Sequence, residues 1–123
     1  MIAAQIAQHA ADLARATAFY TDLLGAAPVA SFDPPGLVFF DLDGQRLLLD
    51  RNAPTALHYF LVDDVDATVE RLRAAGTPVE IEPHIIFTHR DDLLGPAGIE
   101  EVQAFVRDTE GNLVGLVEHR TLG

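Results

Sequence analysis

Apolar and polar residues alternate with two different periods along this chain, and the periods switch in the same order twice. At the start, Ile2, Ala4, Ile6 and Gln8 alternate with Ala3, Gln5 and Ala7, which predicts a strand over 2–8. Asp12 then offers an N-cap, and Leu13, Ala16, Phe19, Tyr20, Leu23 and Leu24 recur at helical spacing as far as Gly25. Three short strands are expected over 27–32, 36–41 and 45–50, separated by Asp33-Pro34-Pro35-Gly36 and by Asp43-Gly44, both of which are turn chemistry. The first half therefore reads βαβββ.

The order begins again after Asn52-Ala53-Pro54. A strand over 57–62 leads to an N-cap at Asp64, and Val65, Thr68, Val69, Leu72 and Ala75 follow at helical spacing until Gly76. Strands over 79–86, 102–107 and 113–119 complete a second βαβββ, the last two joined by a hairpin at Asp108-Thr109-Glu110-Gly111-Asn112. Two copies of this kind imply an internal duplication within one domain spanning 1–123, with modules at about 1–52 and 55–120. The stretch 90–98 fits neither period and reads as a charged, solvated loop near a pocket mouth.

Composition narrows the chemistry. The 123 residues contain no cysteine, which removes disulfides and thiolate sites, and all eight basic residues are Arg, which removes lysine Schiff bases and the P-loop lysine. A formal net charge of -11 repels phosphate backbones and anionic lipid, so nucleic acid and membrane surfaces are not the expected partners. No apolar run approaches the roughly 20 residues of a membrane span, and the first residues lack the basic leader of a signal peptide. Together with the missing cysteines, this points to the cytoplasm, and the charge leaves a small molecule or another protein as the expected partner.

Three segments carry a resemblance to a known family. They are Asp12-Leu13 leading to Phe19-Tyr20-Thr21-Asp22-Leu23-Leu24-Gly25, then Val62-Asp63-Asp64-Val65-Asp66-Ala67 leading to Ala75-Gly76, and Phe105-Val106-Arg107-Asp108-Thr109-Glu110-Gly111-Asn112-Leu113. They resemble the glyoxalase, bleomycin-resistance protein and extradiol dioxygenase superfamily, the vicinal oxygen chelate proteins; Thr109 stands where Pro is usual in the last. The resemblance implies an α+β fold in which two βαβββ modules form curved mixed sheets around a cleft. It also implies that metal-using members supply two ligands from each module, usually His, Gln or Glu.

At those ligand positions the chain departs from the pattern. The first is Gln5, an acceptable donor, but the second falls on Arg46-Leu47-Leu48-Leu49, where Leu48 cannot coordinate a metal. The third selects Leu57, with His58 as its neighbour, so His58 qualifies only if a bulge shifts the register. The fourth is Gly115, which has no side chain, and Glu118 points to the other face by alternation. No resident metal or cofactor is therefore expected.

Other residues bear on the ligand. His84, within Glu82-Pro83-His84, either faces the pocket as a hydrogen-bonding group or makes backbone contacts at a strand end. His89 and His119 read as solvated surface residues, and His9 as structural. Glu100-Glu101, like the other acidic pairs, reads as cap and loop charge. Phe60 shares parity with His58, while Tyr59 and Leu61 occupy the other face. The family topology that the resemblance implies would line the concavity with Leu113, Gly115 and Val117, an apolar wall with space left by the glycine, and Phe105 shares parity with Gln103 and Arg107.

The candidate ligand-binding residues are thus Gln5, His58, Phe60, His84, Phe105 and Gly115. The resemblance also implies a homodimer, since lone modules leave sheet edges and an apolar face exposed. Three functions stay open: a metal-independent protein that binds a small apolar or aromatic molecule, a metal-dependent lyase, isomerase or dioxygenase with a rearranged site, and an interaction scaffold with a vestigial pocket.

Overall fold

The structure is a computed structural model that describes residues 4–94 and 96–122. Ile2 and Ala3, at the head of the first expected strand, lie outside the described residues. The remainder forms two four-stranded mixed sheets, each with one helix, in the element order expected of a duplicated βαβββ. It divides into two compact units, one running to Ala56 with Asp108–Asn112 added, the other comprising Leu57–Arg107 and the segment from Leu113 onward.

In the first unit the elements are β1 (Gln5–His9), α1 (Leu13–Leu24), β2 (Ala30–Phe32), β3 (Leu37–Leu42) and β4 (Gln45–Asp50). The sheet order is β1-β4-β3-β2, with β1 and β4 parallel and the other pairs antiparallel. Helix α1 starts where the Asp12 carboxylate accepts the Arg15 amide at 3.0 Å. Its apolar stripe of Leu13, Ala16, Phe19, Tyr20 and Leu23 is buried, as are Val38, Phe40, Leu47 and Leu49 on the alternating positions of β3 and β4. The turn between β3 and β4 places Asp43 at φ 53 and Gly44 at φ 95, two successive positive values that a two-residue hairpin demands.

A buried carboxylate holds this unit together. Asp108 Oδ1 accepts the amides of Glu110 and Asn112 at 2.9 and 2.8 Å, while Oδ2 accepts the Tyr20 hydroxyl at 2.7 Å and Asn112 Nδ2 at 2.8 Å. Asn112 Nδ2 also donates to the His9 carbonyl, and Glu110 accepts both the Asp12 amide and Arg15 Nε. Removing a charge from water is tolerable only with such full satisfaction.

In the second unit the elements are β5 (His58–Leu61), α2 (Val65–Ala74), β6 (Val79–His89), β7 (Ile99–Arg107) and β8 (Leu113–Thr121), in the sheet order β5-β8-β7-β6. Topology repeats that of the first unit, β5 and β8 being the parallel pair. Val65, Val69 and Leu72 of α2 are buried together with Val102, Ala104, Val106, Val114 and Leu116, the even positions of β7 and β8. Each Val or Leu among them contributes on the order of 1.5–3 kcal/mol. Asp64 caps α2, and Glu118 accepts the Val65 amide, as its even parity requires. The Arg120 guanidinium holds the Glu118 carboxyl below the ordinary carboxylate value, against the opposing effect of burial.

Strands β6 and β7 are longer than the sequence pattern suggests, reaching His89 and Ile99. The alternation breaks there because β6 carries three register irregularities that interrupt its period. The expected loop survives between them, with Leu93 and Leu94 exposed. Among the described residues no helix is long and apolar enough to cross a membrane.

Burial, and then the negative charge of Asp108, raise the Tyr20 phenol above its ordinary value of 10.0. A raised folded-state value means that its stabilisation is complete below pH 10 and falls as pH rises, because only the unfolded chain ionises readily. Tyr20→Phe should therefore cost about 1.5–3 kcal/mol at neutral pH, the range for a hydrogen bond to a charged group. It should also flatten the loss of stability above pH 10, both effects being measured by urea denaturation.

Candidate functional site

One helix covers one face of each sheet. In the second unit the odd positions of β7 and β8 point away from α2, and register fixes who meets whom. Phe105 and Tyr59 both pair with Gly115, Gln103 and Leu61 both pair with Val117, and Glu101 pairs with His119. A Cβ at position 115 would lie 2.6 Å from Tyr59 Cδ1, so the glycine exists to admit the tyrosine ring. Tyr59 in turn meets Phe105 edge to face, with centroids 5.7 Å apart and planes at 79°. The space expected over Gly115 is therefore filled by Tyr59.

Beside this aromatic pair lies a cleft of about 360 Å³ lined by Tyr59, Leu61, Glu101, Gln103, Val117 and His119. Tyr59 and Leu61 remain open, at 53% and 69% exposure, while Val117 is buried. Its polar members are ordered: Gln103 Nε2 donates to Glu101 Oε2 at 2.8 Å, and His89 Nε2 stands 3.1 Å from Glu101 Oε1. Side chains of this kind, mostly apolar with a few fixed polar groups, suit a small hydrophobic or planar ligand.

Of the six residues singled out in the sequence, five belong to the second unit, where they are spread over both faces of the sheet. Phe105 and Gly115 share the open face of the second unit. His58 and Phe60 lie on the opposite face, paired with buried Val114 and Leu116, and touch each other edge to face at 6.0 Å. His84 is exposed on β6, where its register partner is Gln103, and its Nδ1 donates to the Glu82 carbonyl at 3.0 Å. Gln5 is exposed in the first unit, on the face of β1 and β4 that carries Leu48.

Two of the four positions that the resemblance gives to metal ligands lack a donor side chain. Leu48 and Gly115 offer no donor atom, and His58 is buried on the helix side of its sheet. No bulge turns His58 toward Gly115, since β5 pairs with β8 in unbroken register from His58 to Leu61.

Two histidines that the sequence pattern places at the surface are placed otherwise. His89 is 3% exposed, stacks on Phe87 at 4.4 Å, and approaches the Glu101 carboxylate together with His119. The hairpin register puts Glu101 opposite His119, a signal present in the sequence. His89 could not be placed from sequence, because the irregularities of β6 hide its parity. Tyr59 is the other residue missed; its alternation was legible, but not its close approach to Gly115.

The sequence matches the family model of the Glyoxalase/Bleomycin resistance protein/Dioxygenase superfamily over residues 2–116. A lactoylglutathione lyase from Agrobacterium tumefaciens is 30% identical, with a TM-score of 0.68, covering 96% of this chain and 92% of that one. A glyoxalase-related enzyme from Fulvimarina pelagi is 22% identical at TM-score 0.68, covering 96% and 87%. A glyoxalase/bleomycin resistance protein/dioxygenase from Alicyclobacillus acidocaldarius is 18% identical at TM-score 0.65, covering 96% and 91%, and shows likeness of fold. No curated protein matches the chain.

The contact at Gly115 makes a coupling testable. Gly115→Ala should destabilise the protein by about 1–3 kcal/mol through overpacking. In a Tyr59→Ala background that cost should shrink by at least about 0.5 kcal/mol, the threshold for coupled neighbours in a double-mutant cycle read by urea denaturation.

Proposed function

From the premise that the chain belongs to the Glyoxalase/Bleomycin resistance protein/Dioxygenase superfamily, we propose that it binds a small apolar or aromatic molecule without a family-type metal centre. The observation that carries this reading is the Tyr59–Phe105 pair seated on Gly115, which leaves an exposed aromatic and aliphatic surface beside a cleft. Leu48 and Gly115 support the metal-independent part, since they replace donors with hydrocarbon and with nothing. Gln103 and His119 are the polar groups available to orient a ligand at the rim.

The chain has no Trp and two Tyr, of which Tyr20 is buried, so Tyr59 is the exposed reporter. Titration with the neutral planar dye Nile red should quench tyrosine emission and enhance dye fluorescence at micromolar concentrations. Tyr59→Ala should weaken that binding tenfold or more. Unchanged affinity in the variant would overturn the site.

A second reading is favoured by the 30% identity to a lactoylglutathione lyase. In it the protein is a metal-dependent lyase, isomerase or dioxygenase with a rearranged site. Lactoylglutathione turnover that requires an added divalent metal would favour this reading over the first.

The proposal includes a homodimer in the cytoplasm. Support for pairing comes from Ile81, Ile85 and Ile86, which leave apolar surface on β6, the edge strand of its sheet. The absence of cysteine suits a reducing compartment. Sedimentation at micromolar concentration should give twice the 13.3 kDa chain mass, and a monomer mass would refute pairing.

A further inference from the structure

We propose that His89, Glu101 and His119 form a binding site for a late first-row divalent cation of the zinc or cobalt type, at the rim of the cleft in the second unit. The inference goes beyond the ligand-binding reading and does not rest on it. It concerns neither of the superfamily ligand positions in this unit, which fall at Leu57 or His58 and at Gly115.

The three side chains come from adjacent strands. Glu101 and His119 are directly opposed on β7 and β8, and His89 reaches across from β6, where its partner is Ile99. Both Nε2 atoms converge on one carboxylate oxygen, His89 at 3.1 Å and His119 at 3.4 Å from Glu101 Oε1. One donor atom from each of the three residues falls within 4.8 Å of the others. Metal–ligand bonds of about 2.0–2.2 Å, at octahedral to tetrahedral angles, set neighbouring donors about 3.0–3.5 Å apart. The two separations from Glu101 Oε1 fall within that range.

The surroundings favour a preorganised site. The His89 side chain is 1% exposed and stacked on Phe87 with planes 16° apart, so its ring is held. Gln103 donates to Glu101 Oε2, which leaves Oε1 as the oxygen turned to the imidazoles. That is the outer-shell support that ligating carboxylates receive. His119 is 28% exposed and, with Glu101, borders the cleft, so an ion has a route in and coordination positions left over. Two imidazoles with one carboxylate select zinc, cobalt or iron over magnesium or calcium, which prefer oxygen donors.

The alternative is a hydrogen-bonded triad in which both imidazoles simply donate to the carboxylate. Cobalt(II) alone distinguishes the two. The purified, chelator-treated protein should take up one equivalent, with visible d–d absorption and a rise in melting temperature. Glu101→Gln and His119→Ala should each weaken uptake tenfold or more; both residues are less buried than His89, and circular dichroism verifies that the variants fold. Tyr59→Ala should leave cobalt uptake intact while losing Nile red, which separates this site from the apolar one. Absence of stoichiometric uptake, or uptake unaltered in both ligand variants, would overturn the proposal.

Discussion

A four-stranded sheet has two faces, and a single amphipathic helix can cover only one of them. Each unit of this protein obeys that constraint, with α1 over β3 and β4 in the first and α2 over β7 and β8 in the second. The candidate cleft lies on the face that α2 does not cover, where Tyr59 and Gln103 stand beside buried Gly115 and Val117.

The covered faces supply rigidity by ordinary means, with aliphatic side chains at alternate strand positions and helical thirds and fourths. Added to this is a small number of buried polar anchors. Asp108 accepts four hydrogen bonds and Glu118 accepts the first amide of α2, so neither carboxylate is left without partners. Such anchors fix register and helix entry in a way that apolar contact alone does not, because hydrogen bonds are directional.

Much of the architecture was legible in the sequence, since period, cap and turn signals agree with one another. Asp12 and Asp64 cap their helices, Asp43-Gly44 turns tightly, and the order βαβββ recurs. Strand ends were less legible where β6 loses its alternation. The site was legible only by parity. Alternation put Tyr59 and His58 on opposite faces, and the structure keeps them so, yet the aromatic contact over Gly115 depends on β5 lying parallel to β8 in one register. Pairing between β5 and β8, whose partners such as His58 and Val114 are 56 residues apart in sequence, is invisible to local pattern, and so is the convergence of His89 on Glu101.

The hairpin Asp108–Asn112 belongs, by its contacts, to the opposite half of the sequence from the strands it joins. Sequence order and spatial grouping therefore differ at this hairpin. A fragment ending at Ala56 would carry α1 and its whole sheet yet leave the Tyr20 hydroxyl and the Asp12 amide without their acceptors. The repeated βαβββ order is thus not a pair of self-contained sequence halves: five residues from the later half group with the earlier one.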